Sequence, residues 1–125
     1  MDITLTDPPR SFEVGIKHKI KLQDCASVYL KPNEQVTFKT ESSGEYDVVR
    51  KSWGFYATPS LNGRLPQFGL RAVLIKNTFD KYFLCLVEQG CEADFQTYLE
   101  SDRLKIVCWL DSTSQLQQFE KTALV

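Results

Sequence analysis

Six consecutive residues, Tyr82-Phe83-Leu84-Cys85-Leu86-Val87, are apolar, so a strand built from them turns a dry side to both of its faces. Tyr82, Leu84 and Leu86 fall on one face and Phe83, Cys85 and Val87 on the other, because successive side chains of a strand alternate in direction. A strand of this kind needs cover from two sides and is expected at the centre of its sheet. The flanking sequence offers the cover. Leu70–Lys76 precedes it as a second strand, and Asn77-Thr78-Phe79-Asp80 between them has the character of a hairpin turn. Cys91, Phe95, Tyr98 and Leu99 then recur at helical spacing behind Glu92 and Asp94, acidic residues that favour a helix start. Leu104–Leu110 is a further strand, with Ile106, Cys108 and Leu110 facing one way and Val107 and Trp109 the other. Ser112-Thr113-Ser114-Gln115 resembles a capping box ahead of a short helix carrying Leu116 and Phe119. This half is therefore β-β-α-β-α. A right-handed crossover would set the Leu104–Leu110 strand parallel to Lys81–Glu88 within a shared sheet.

The first half is punctuated differently. Residues 1–11 are polar, contain Pro8-Pro9 and are expected to form a loose arm. His18–Gln23 alternates polar and apolar, and Ala26–Leu30 has the length of a short strand. Lys31-Pro32-Asn33-Glu34 has the composition of a turn with Pro at its second position. Gln35–Thr40 alternates again, Glu41–Gly44 makes a second turn, and Glu45–Arg50 is a strand. The expected fold is α+β: an antiparallel β-rich N-terminal half packed on the β-β-α-β-α unit. All 125 residues are expected in a single domain, a length that buries a core without covalent staples.

Charge is distributed in blocks. The net charge is -1, which argues against a general nucleic-acid binder. Yet there is no acidic residue between Asp47 and Asp80, where Arg50, Lys51, Arg64, Arg71 and Lys76 lie, and no Lys or Arg from Tyr82 to Asp102. The first ten residues carry neither a basic leader nor an apolar run, and no window approaches the length of a membrane span. The chain is expected to be cytoplasmic, without membrane association. Cys25, Cys85, Cys91 and Cys108 form no C-x-x-C pair, and His18 is the sole imidazole. No metal or cofactor is expected. The cysteines are expected as reduced core residues, with Cys85 and Cys108 on central strands.

The basic block encloses Ser52–Gly69, a segment with Trp53, Phe55, Tyr56 and Phe68, three glycines and two prolines. It has the length of a structureless loop, and such loops are usually functional. Its aromatics, Trp53 included, are expected to be buried, with Asn62-Gly63 as a tight turn. Arg64 and Arg71 offer planar donors to carboxylate or phosphate. Thr58, Ser60 and Asn62 add neutral hydrogen-bonding groups, and Tyr56 a stacking face. The candidate binding residues are therefore Tyr56, Thr58, Ser60, Asn62, Arg64 and Arg71. A ligand of this set would be an anionic small molecule or a glycan precursor. Two other readings stay open: a surface for a protein partner, and plain core packing. Catalysis is the weakest reading, because the segment supplies no His, Glu or Asp for proton transfer.

The string Arg50-Lys51-Ser52-Trp53-Gly54-Phe55-Tyr56-Ala57-Thr58-Pro59-Ser60-Leu61-Asn62-Gly63-Arg64-Leu65, followed by Phe68-Gly69-Leu70-Arg71, resembles a small bacterial protein family. The similarity covers about Lys21 to Asp111. That family is loosely associated with genes for surface-polysaccharide and sugar-methylating enzymes and has no assigned activity. The resemblance implies a cytoplasmic accessory role beside glycan assembly, including docking on a glycan-biosynthesis enzyme, and transfers no functional residues.

Overall fold

The chain reverses at residues that tolerate a left-handed backbone. Asn33 (φ 71°), Ser43 (φ 77°) and Asp80 (φ 58°) each sit at a strand-to-strand turn. At the first, the Glu34 N–H reaches the Lys31 carbonyl at 3.1 Å, and Pro32 followed by a positive-φ Asn33 is the type II arrangement. At the last, the Asn77 side-chain oxygen accepts from the N–H groups of Phe79 and Lys81 at 2.9 and 3.0 Å. These bends connect the elements of a computed structural model that describes residues 1–123. Strands β1 (Asp2–Val14) and β2 (Ile20–Tyr29) form an antiparallel ribbon. Strands β3 (Gln35–Lys39), β4 (Glu45–Lys51) and β5 (Gly54–Ala57) form an antiparallel meander. One helical turn, α1 (Arg64–Gln67), leads to β6 (Leu70–Lys76) and β7 (Tyr82–Glu88). Helix α2 (Glu92–Ser101), β8 (Lys105–Trp109) and α3 (Thr113–Thr122) complete an α+β fold.

The third sheet has the order β7-β6-β8, with β6 antiparallel to both neighbours. β8 thus runs parallel to β7, as a crossover through α2 requires, but with β6 between them. The centre of the sheet is therefore β6, where Leu70, Ala72, Val73 and Ile75 are buried. β7 is an edge strand, and its Tyr82, Phe83 and Leu84 are exposed. The expectation of a central, doubly covered β7 is corrected on this point. Periodicity reports how apolar a strand is; the order of strands is set by where the crossover lands. Cys85 and Cys108 change with it: both are free, partly buried and on edge strands.

Two cores lie on the two faces of β6. On one, Val73, Ile75 and Val87 pack with Leu99 of α2, and Phe95, Ile106 and Trp109 close around them. A register shift between Leu74 and Ile75 lets Ile106 and Trp109 join one cluster, although strict alternation would separate them. On the other face, Leu65 of α1 packs with Leu70 and Ala72, flanked by Tyr46 and Leu61. The N-terminal meander meets the C-terminal sheet there, through the Glu45 N–H on the Phe68 carbonyl at 3.2 Å and the Thr40 hydroxyl on Glu88. Ser112 caps α3 by accepting from the Gln115 N–H at 3.3 Å, as the capping pattern implies.

The ribbon departs from expectation. Residues 1–11 are not a loose arm but most of β1. The two segments His18–Gln23 and Ala26–Leu30 are joined in the single strand β2. Pro8 and Pro9, which cannot donate ladder bonds, fall where the register shifts between Leu5 and Arg10, the place a strand tolerates them.

Candidate functional site

The Ser52–Gly69 segment is more regular than its composition suggests. Lys51 pairs with Gly54, so Ser52 and Trp53 are the two residues of a hairpin turn. Gly54 follows at φ 144°, a backbone that side chains resist. At such a tip Trp53 has nothing to be buried against and is 69% exposed, with Phe55 at 62% and Tyr56 at 44%. The expected burial of these aromatics is thereby corrected. The Trp53 and Tyr56 rings stack at 6.2 Å and 27°, giving a shallow aromatic platform. The Arg50 side chain is held by the Lys51 carbonyl at 2.6 Å and the Lys51 ammonium by the Asn33 side chain at 2.6 Å.

Beyond the platform the segment turns inward. The Thr58 N–H binds the Asp47 carbonyl at 3.0 Å, and the Thr58 hydroxyl oxygen is buried without a partner among the described residues. Asn62-Gly63 is not a positive-φ turn; Gly63 has φ −136° and precedes α1. Its tight curvature instead brings Ser60 under the helix start. The Ser60 hydroxyl accepts from the Arg64 N–H and its carbonyl from the Leu65 N–H, both at 3.0 Å. Leu65 is fully buried, and Asn62 donates to the Thr113 hydroxyl at 3.1 Å, which ties the segment to α3.

The six candidate residues are therefore not brought to one place. Ser60 and Asn62 serve the local fold. Arg71 lies on the α2-facing side of the sheet, donating to Asp111 at 2.6 and 3.4 Å and covering the Trp109 ring at 4.0 Å. The pair raises the basicity of Arg71 and holds the Asp111 carboxyl below the usual carboxylate range, the hydrogen bond being the main cause. Asp111 and Trp109 had no signal in the sequence, since nothing local links them to Arg71. Arg64 has its guanidinium 5.1 Å from the Phe68 ring and no carboxylate partner among the described residues. Tyr56 and Arg64 are the candidates left available for contact.

Clefts open elsewhere among the described residues. One of about 410 Å³ is lined by Cys85, Glu88, Cys91, Phe95 and Tyr98. Burial, aided at Cys91 by the Glu88 charge, pushes both thiols up, so they stay in their weakly nucleophilic protonated form. A second, about 280 Å³, lies between Ile16 at the ribbon tip and Phe83 and Tyr98. A third, about 210 Å³, lies between the meander and the third sheet at Phe38, Tyr46 and Leu86. Among the described residues no helix is long and apolar enough to cross a membrane. In comparisons with known proteins, the chain matches no family model, no curated sequence and no solved structure.

Proposed function

We propose that this chain is a non-catalytic binding module of the bacterial cytoplasm, an accessory protein whose contact surface is the aromatic hairpin at Trp53–Tyr56. The observation that supports this reading is the exposure of Trp53, Phe55 and Tyr56 on one short hairpin within a segment devoid of negative charge. Such a tip costs free energy in water, and aromatic residues on an exposed, shallow surface are the usual anchors of a protein interface. The resemblance to a family near polysaccharide enzymes suggests such an enzyme as the partner. A second reading, an anionic or sugar-bearing ligand lying on the platform, is favoured by the near-parallel Trp53 and Tyr56 rings, which present a stacking face to a sugar.

Trp53→Ala decides whether the platform is functional. The fold should survive, with a stability change within about 1 kcal/mol, because the removed ring is largely exposed. Co-purification should then recover a specific partner with the wild-type chain and lose it with the folded variant. Retention of the same partner by both chains overturns this placement. A melting shift with anionic sugars that disappears in Trp53→Ala selects the second reading.

A further inference from the structure

The β1–β2 ribbon has two unlike faces. Cross-strand partners share a face of an antiparallel pair, so the register sorts the side chains directly. Ile3 pairs with Val28 and Leu5 with Ala26; beyond the register shift Phe12 pairs with Leu22 and Val14 with Ile20. On β2 the residues Ile20, Leu22, Ala26 and Val28 are all an even number of positions apart, so these four pairs share one face. That face is apolar except at its middle, where Arg10 pairs with Asp24 in a 3.4 Å ion pair. The opposite face carries Asp2 with Tyr29, Thr4 with Ser27, Ser11 with Gln23 and Glu13 with Lys21, and is polar apart from the Tyr29 ring. A segregated pattern of this kind is what a half-buried sheet shows.

Among the described residues nothing covers the apolar face. Its large side chains are exposed, Leu5 by as much as 75%. Among the described residues the polar contacts of the ribbon with the remainder are at its ends, through the Met1 amino group on Glu34 at 3.2 Å and the Ile16 N–H on Asp102 at 3.3 Å. A two-stranded ribbon is marginal without further cover. The area of the whole chain bounds from above how much cover is missing. Its accessible surface is 9238 Å² at 14.4 kDa, whereas a compact monomer of that mass exposes about 6,800 Å². The excess of about 2,400 Å² per chain is spread over both ribbon faces and the other exposed elements, so it sets an upper bound on what the apolar face can bury; an obligate homodimer buries about 1,000–2,500 Å² on each subunit.

We propose that the apolar face of the ribbon is a dimer interface and that its occupant is the same face of a second copy of this chain. The layout is self-complementary. A two-fold axis along the ribbon, midway between two such faces, lays β1 of one copy over β2 of the other. Ile3 and Leu5 then face the partner's Val28 and the partner's Ala26, and Phe12 and Val14 face the partner's Leu22 and the partner's Ile20. At the middle, Arg10 lies opposite the partner's Asp24, and Asp24 opposite the partner's Arg10. With the axis across the ribbon, like charges would oppose each other, so the central pair also selects the orientation. The result is a two-layer sandwich about 10 Å thick, closed by the reciprocal contacts of an isologous interface.

The test needs no unknown ligand: sedimentation equilibrium of the full chain at micromolar concentrations. The expected mass is twice 14.4 kDa; a monomer throughout overturns the proposal. Leu22→Lys should give a folded monomer, and Gln23→Lys on the polar face should leave the dimer intact; a dimer indifferent to Leu22→Lys overturns it. R10D and D24R, each alone, should weaken self-association roughly 100-fold by placing like charges together. Mixed with each other, the two variants should associate again, because one copy then brings two carboxylates and the other two guanidiniums. Both substitutions are on exposed side chains, and a native far-ultraviolet spectrum checks that each still folds. Failure of the mixture to associate overturns the placement of Arg10 and Asp24 at the interface.

Discussion

Arg71 shows how a residue chosen for one role is claimed by another. As an arginine in a basic block it was a fair candidate for an anionic ligand; in the structure its guanidinium is fixed by Asp111 and laid on Trp109. The identity of the residue was legible, its partner forty positions away was not. The pair makes a pH prediction. The Asp111 carboxyl is held low by the Arg71 hydrogen bond, so its folded pKa lies below its unfolded one near 3.9. The stability it contributes is fully present above the unfolded value and is lost as pH falls through the lowered folded value. Asp111→Asn should therefore cost about 1–2 kcal/mol at neutral pH, the scale of a partly exposed charge-assisted bond. Below about pH 4 the wild type should converge on the variant. Urea midpoints of both proteins across that range test it; coincident curves would show that the pair contributes nothing, and a constant offset that its contribution does not depend on the Asp111 charge.

At the scale of elements, the strands and helices of the C-terminal half were legible because their apolar periods are long and their turns carry Asn77 and Ser112 in positions with a mechanism, as Pro32 and Asn33 do for the turn between β2 and β3. The candidate segment was less legible. Gly54–Ala57 and Arg64–Gln67 are too short to show a period, and the exposure of Trp53 follows from its place at a two-residue turn rather than from its own chemistry. α1 itself is a single turn containing Pro66, and helices of this length have no stability of their own. It is held by Leu65, buried against Leu70 and Ala72, and by Ser60 beneath it. Leu65→Ala should cost about 3–5 kcal/mol, the upper part of the range for emptying a leucine site. It should also release the segment locally, so that trypsin cuts after Arg64 faster in the variant than global unfolding allows. A loss below about 1 kcal/mol would mean that the segment is held by its hydrogen bonds instead.

At the scale of the whole molecule, the order of the sheets and the reach of the ribbon were beyond sequence reasoning. Both depend on which surfaces meet, and alternation in β1 was hidden by the register shift at Pro8 and Pro9: Ile3 and Leu5 are odd-numbered, Phe12 and Val14 even-numbered, yet all share a face. That face makes stability uneven across the chain. The β6 core is closed from both sides within one chain, whereas the ribbon gains its cover only on association. Amide hydrogen exchange should expose the difference. At concentrations where the dimer is saturated, the paired amides of β1 and β2 should be protected. On dilution through the dissociation range their protection should fall, because association stabilises by mass action, while amides of β6 change much less. Ribbon protection that is equal at all concentrations would show that the hairpin stands without a partner, and would remove the physical need for a second copy.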